Sequence, residues 1–217
     1  MTELITRLCT AAVLLFGAVA PLQGQGSETA AAARYRNNCR LAAQVLRTGE
    51  PHGRRDWAVG YIAGCGDEGP VVLGEQWRTA AFEGEFLDAL VRSSMRIRDA
   101  RLYEQLRATA ADRTRPAPAR VGAMLVLARY VDPGSALWLS DLIPPDSIRH
   151  IRLVGASTTA TWQRTGAQPL TTRVAPAVLA LLENIAAART EEPREVWYAA
   201  AVLARRVEAD IALGRAH

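Results

Sequence analysis

The side chains best suited to acid–base or metal chemistry are three histidines and three cysteines in 217 residues. The histidines are His52, His150 and His217. None has a second histidine or a cysteine at ligand spacing, so a zinc site is not expected. His52 sits in a proline-glycine turn, and His150 lies beside Arg149 and Arg152 as a surface or capping residue. Gly64-Cys65-Gly66 has the look of a phosphate-binding turn, but Asp67 and Glu68 follow it and would repel an anion. The acidic pairs Asp67-Glu68, Glu83/Glu85 and Glu191-Glu192 could serve as general acids. They are explained more simply as negative charge complementing helix N-termini. No Gly-x-Ser-x-Gly elbow and no Walker loop is present. These residues call for no cofactor, no metal and no catalytic set.

The cysteines carry more information. Arg7 precedes an apolar run from Leu8 to Ala20, which has the length of a secretory h-region and is short for a bilayer span. Ala18-Val19-Ala20 has the small-x-small form of a cleavage site, but Pro21 hinders cutting there, so cleavage is expected near Gln25 or Gly26. Residues 1–25 are therefore read as a signal peptide and 26–217 as one domain. An uncleaved anchor is the alternative. Removal of the signal takes Cys9 with it and leaves Cys39 and Cys65. An even count in an exported chain suggests one disulfide, the alternative being two buried thiols. The expected location is periplasmic or extracellular, with no membrane span after signal removal.

The elements around these residues read as helices. The chain holds 40 alanines, the residue with the best helix propensity, and 22% charged residues, as in an ordinary globular chain. After a polar linker at Gln23–Ser27, helices are expected at about 28–46, 54–64, 71–79, 83–95, 99–111, 119–130, 135–142, 173–188 and 191–213. Glycine and proline mark the breaks, among them a turn at Gly66–Pro70 and the stop at Asp132-Pro133-Gly134. Residues 149–172 differ. They hold seven serines or threonines, and a β-hairpin or extended insertion pairing 150–154 with 159–164 is expected there. The competing reading is a further helix opening at Pro145-Asp146-Ser147.

Three helices share a pattern. Arg120, Ala123, Leu127 and Ala128 correspond to Arg55, Ala58, Ile62 and Ala63 at an offset of 65. Ala123, Val126, Leu127, Ala128, Arg129 and Val131 correspond to Ala199, Val202, Leu203, Ala204, Arg205 and Val207 at an offset of 76. Offsets of about twice 32–38 residues suit paired-helix repeats. The pattern Arg120-x-x-Ala123-x-x-x-Leu127-Ala128 followed by Asp132-Pro133 resembles HEAT-like repeats over roughly 54–142 and 173–210. Gly60 and Gly64 stand where that family prefers larger residues. The resemblance implies an all-α fold of antiparallel helix pairs stacked as a short right-handed solenoid, whose usual work is to bind another protein.

Charge points the same way. All 26 basic residues are arginine, and the net charge is +4. That balance is too small for a nucleic-acid-binding face. Arginine is concentrated, however: residues 92–120 hold eight against three acids. Arg92, Arg96, Arg101 and Arg107 form a candidate basic rim, with Trp162 as an aromatic anchor from the insertion. The expected function is an exported, non-enzymatic scaffold for protein–protein interaction. The alternative is an envelope hydrolase with a site around 149–172, using His150 and nearby acids.

Overall fold

The structure, a computed structural model, describes residues 22–50, 53–79, 84–132, 170 and 173–216. Among these residues all regular structure is helical: α1 (Leu22–Thr48), α2 (Arg55–Ile62), α3 (Glu68–Thr79), α4 (Gly84–Ser94), α5 (Ala100–Ala111), α6 (Ala117–Val131), α7 (Ala175–Ala187) and α8 (Arg194–Ala212). The apolar run at 8–20, the expected helix at 135–142 and the expected hairpin at 150–164 lie outside the described residues. No described helix is long and apolar enough to cross a membrane.

Two expectations are corrected. Gln23–Ser27 is not a linker but part of α1, since its two glycines and one serine cost helix propensity without forbidding the conformation. Gly66–Pro70 is not wholly a turn, because α3 already begins at Glu68. Pro70 falls in the first turn, where its missing N–H breaks no intrahelical bond. Gly69 is needed beside it: a Cβ there would stand 2.5 Å from the Ile62 carbonyl oxygen.

The other helix ends follow the local chemistry. Asp99 caps α5, its carboxylate accepting the Arg101 N–H at 2.9 Å. Pro118 and Pro176 lie in the first turns of α6 and α7. Asp132 ends α6 in an extended conformation, as a residue before proline must.

The chain divides into two units, Met1–Asn38 and Cys39–His217, and α1 crosses the division. Within the first unit, residues 29–38 of α1 are exposed except for half-buried Ala33. The second unit holds the core. In it α2 packs on α4, α4 on α6 and α6 on α8. Likewise α3 packs on α5 and α5 on α7. Sequence neighbours α5/α6 and α7/α8 form hairpins.

Helix α6 lies at the centre. Every residue from Ala119 to Val131 is buried, as suits a helix that is apolar on most sides, with Arg120 and Arg129 the two charged exceptions. Trp77 of α3 and Leu87, Leu90 and Val91 of α4 belong to the same core. Trp77 is wholly buried, and burying an apolar side chain of this size stabilises by about 2–3 kcal/mol. A disulfide joins Cys39 of α1 to Cys65, in the bend beyond α2, with Cα atoms 5.6 Å apart. It ties the second part of α1 to the α2–α3 connection.

Candidate functional site

The basic rim divides into two kinds of arginine. Arg92 at the end of α4 and Arg96 in the turn after it are exposed, and neither makes an ion pair among the described residues. Arg101 is already engaged: its Nε donates to Asp99 Oδ1 at 3.0 Å and its Nη2 to Asp99 Oδ2 at 2.9 Å. Those hydrogen bonds hold its pKa above the ordinary arginine value. Arg107 donates to Glu104 at 3.4 Å and lies 5.6 Å from the Tyr103 ring centre. Six residues along a helix amount to about 600° of rotation, so Arg101 and Arg107 point to different sides of α5. The four arginines thus do not form one stripe. Trp162, the fifth candidate, lies outside the described residues, as do His52, His150 and His217.

Beside this surface runs a polar seam that sequence reasoning missed. The indole Nε1 of Trp77 donates to Ser94 Oγ at 2.9 Å, and the Tyr130 hydroxyl reaches the Ser94 carbonyl oxygen at 3.5 Å. The Tyr130 ring stacks on Tyr103 with centroids 6.4 Å apart. Burial holds the Tyr130 phenol well above its usual range, and the charge of Asp99 adds to that. It therefore stays neutral and serves as a packed hydrogen-bonding group. Burial acts in the opposite direction on Arg98 and Arg129, whose pKa values are lowered because the charged form is desolvated.

A second cluster joins the two hairpins. Arg120 of α6 makes a two-pronged pair with Glu192, just before α8: Nη1 meets Oε2, and Nη2 donates to Oε1 at 2.9 Å. Its Nε donates to the Ala110 carbonyl oxygen at 3.0 Å. Arg113 adds exposed contacts to Glu191 at 2.5 Å and to Glu192 at 3.2 Å. Hydrogen bonding from Arg120 is the chief reason the Glu192 carboxyl titrates below its ordinary range. Glu191-Glu192 reads in the sequence as helix-terminal charge. In the fold, Glu192 is a clamp between hairpins. Both carboxylate oxygens are occupied, so the pair holds structure and leaves no base free for proton transfer.

The Gly64-Cys65-Gly66 turn runs on to Gly69, which gives it the Gly-x-Gly-x-x-Gly spacing of dinucleotide turns. The structural context differs from theirs. The turn follows a helix, not a strand, its cysteine is in a disulfide, and its last glycine lets α3 approach the end of α2. Among the described residues no group of three or more His, Cys, Asp or Glu side chains is arranged to hold a metal ion.

No family model matches this chain, and neither a curated protein nor a solved structure matches it.

Proposed function

We propose that this protein is an exported helical scaffold that binds another protein through its surface and performs no chemistry of its own. The observation that carries this reading is the order in which the helices pack. One row runs α2, α4, α6, α8 and a second runs α3, α5, α7, with hairpin partners facing each other between the rows. That is the order expected of stacked helix pairs, in which one pair cannot bury its apolar face but neighbouring pairs can. It supports a short HEAT-like stack. The uses of the buried charges agree with it, since Asp99 caps a helix and Glu192 joins two hairpins. The Cys39–Cys65 disulfide supports export to an oxidising compartment.

The partner-binding face of this reading is the end of α4, where Arg92 and Arg96 keep exposed guanidinium groups. Arg101 and Arg107, already paired with Asp99 and Glu104, contribute less. A partner presenting carboxylates would complete the two open forks. The test is crosslinking in the native cell envelope followed by mass spectrometry. One dominant partner, linked through residues 92–107 and lost in Arg92→Glu/Arg96→Glu, is the expected result. Unchanged capture by that variant would remove the interface from this face, and no reproducible partner would remove the scaffold reading.

A further inference from the structure

Helix α8 carries a second, self-complementary surface. It packs on α6 and α7 through Val196, Ala199, Leu203, Val207 and their buried neighbours. On its outer side Glu195, Tyr198, Val202, Arg205 and Ala209 follow at spacings of three and four. This is the narrow seam spacing of helices that pair along their length. Tyr198 and Val202 are only half-buried. Among the described residues α8 packs chiefly on α6 and α7, and an apolar seam turned away from both is stabilised only by a further partner.

The charges on the seam say what fits it. Glu195 lies near one end and Arg205 beyond the middle, and neither forms an ion pair among the described residues. We propose that α8 pairs with α8 of a second copy of this chain, antiparallel about a two-fold axis at the level of Ala200. That register sets Tyr198 against Val202 of the second copy and Glu195 against its Arg205. The two-fold repeats both contacts. Arg206 falls at the level of Arg194 of the second copy, but its guanidinium is turned to Asp210 of its own helix at 3.2 Å. Pairing the same patch on both copies closes the assembly at two. The surface is distinct from Arg92 of α4 and Arg96 in the turn after it, so dimer formation and partner capture fail independently.

The experiment is sedimentation of the protein, purified as the cell produces it, over about 1–100 µM. Glu195→Arg and Arg205→Glu are compared singly and together, with the helical circular dichroism of each checked against the parent. A concentration-dependent dimer is expected. Each single reversal should weaken it by about tenfold or more, and the double reversal should restore it to within about threefold. Arg92→Glu/Arg96→Glu should leave it unchanged. A monomer throughout overturns the proposal. So does a dimer that ignores the single reversals or is not restored by the double one. Growth beyond two copies would mean head-to-tail contact and equally overturns the two-fold pairing.

Discussion

Arg120 and Glu192 are 72 positions apart in sequence, yet their side chains are 1% and 2% exposed and form one two-pronged pair. The pair fastens the α5–α6 hairpin to the start of α8, with the Ala110 carbonyl as a third point of attachment.

Breaking one half of this pair leaves a charge buried without its counter-ion. Arg120→Met or Glu192→Leu alone should lower stability by about 3–5 kcal/mol, whereas the double substitution to apolar residues should come close to the parent. Urea unfolding of the three variants checks this. Equal losses in the double and single variants would show that the site needs the hydrogen bonds themselves.

The same pair sets a pH dependence. The folded Glu192 carboxyl titrates below its unfolded value because Arg120 hydrogen-bonds the charged form. Its contribution is therefore present above the unfolded glutamate pKa of about 4.3 and is lost as pH falls through the lower, folded value. Asp112, held low by hydrogen bonds from Thr114, acts in the same direction. Unfolding midpoints from pH 7 to pH 3 should fall more steeply for the parent than for Glu192→Gln. Parallel curves would show that Glu192 does not carry the slope.

Reduction of the Cys39–Cys65 bond should destabilise the second unit without dissolving its helices. The two cysteines are 26 residues apart, and a cross-link of that span contributes about 3–4 kcal/mol in the chain-entropy model. Chemical unfolding with and without reductant, beside Cys39→Ser/Cys65→Ser, measures it. A midpoint that ignores reductant would mean the bond adds nothing to equilibrium stability.

Two glycine-to-alanine changes should have opposite signs. At Gly122 a Cβ would meet Val91 Cγ2 at 2.9 Å, Trp77 at 3.3 Å and Leu87 at 3.4 Å, so Gly122→Ala should cost about 1–3 kcal/mol by overpacking. At Gly60 a Cβ would meet nothing within 4 Å, so Gly60→Ala should stabilise α2 by about 0.5–1 kcal/mol. Thermal melts decide both, and a Gly122→Ala variant that melts no lower than the parent would contradict the packing described around α6.

Much of the helical plan could be read from the chain alone, and the reason lies in particular residues. The end of α6 was legible from Asp132-Pro133, because a proline acts on its immediate neighbours. The starts of α1 and α3 were not. Glycine only taxes a helix, and Pro70 is harmless in a first turn. The arginine rim was legible as composition but not as geometry. Only the fold decides that Arg101 turns back to Asp99 while Arg92 faces water. The Arg120–Glu192 clamp left no local trace, since its existence depends on which hairpin settles beside which.

The disulfide also changes what a broken backbone means. Cys39 and Cys65 flank the connection that holds Gly49 and Gly53, both at positive φ, with Arg54 exposed just after it. A protease cutting in that connection would produce two fragments that remain a single covalent molecule. The nick would be silent on a non-reducing gel and visible only once thiol is added, so intact mass and intact chain are different properties of this protein.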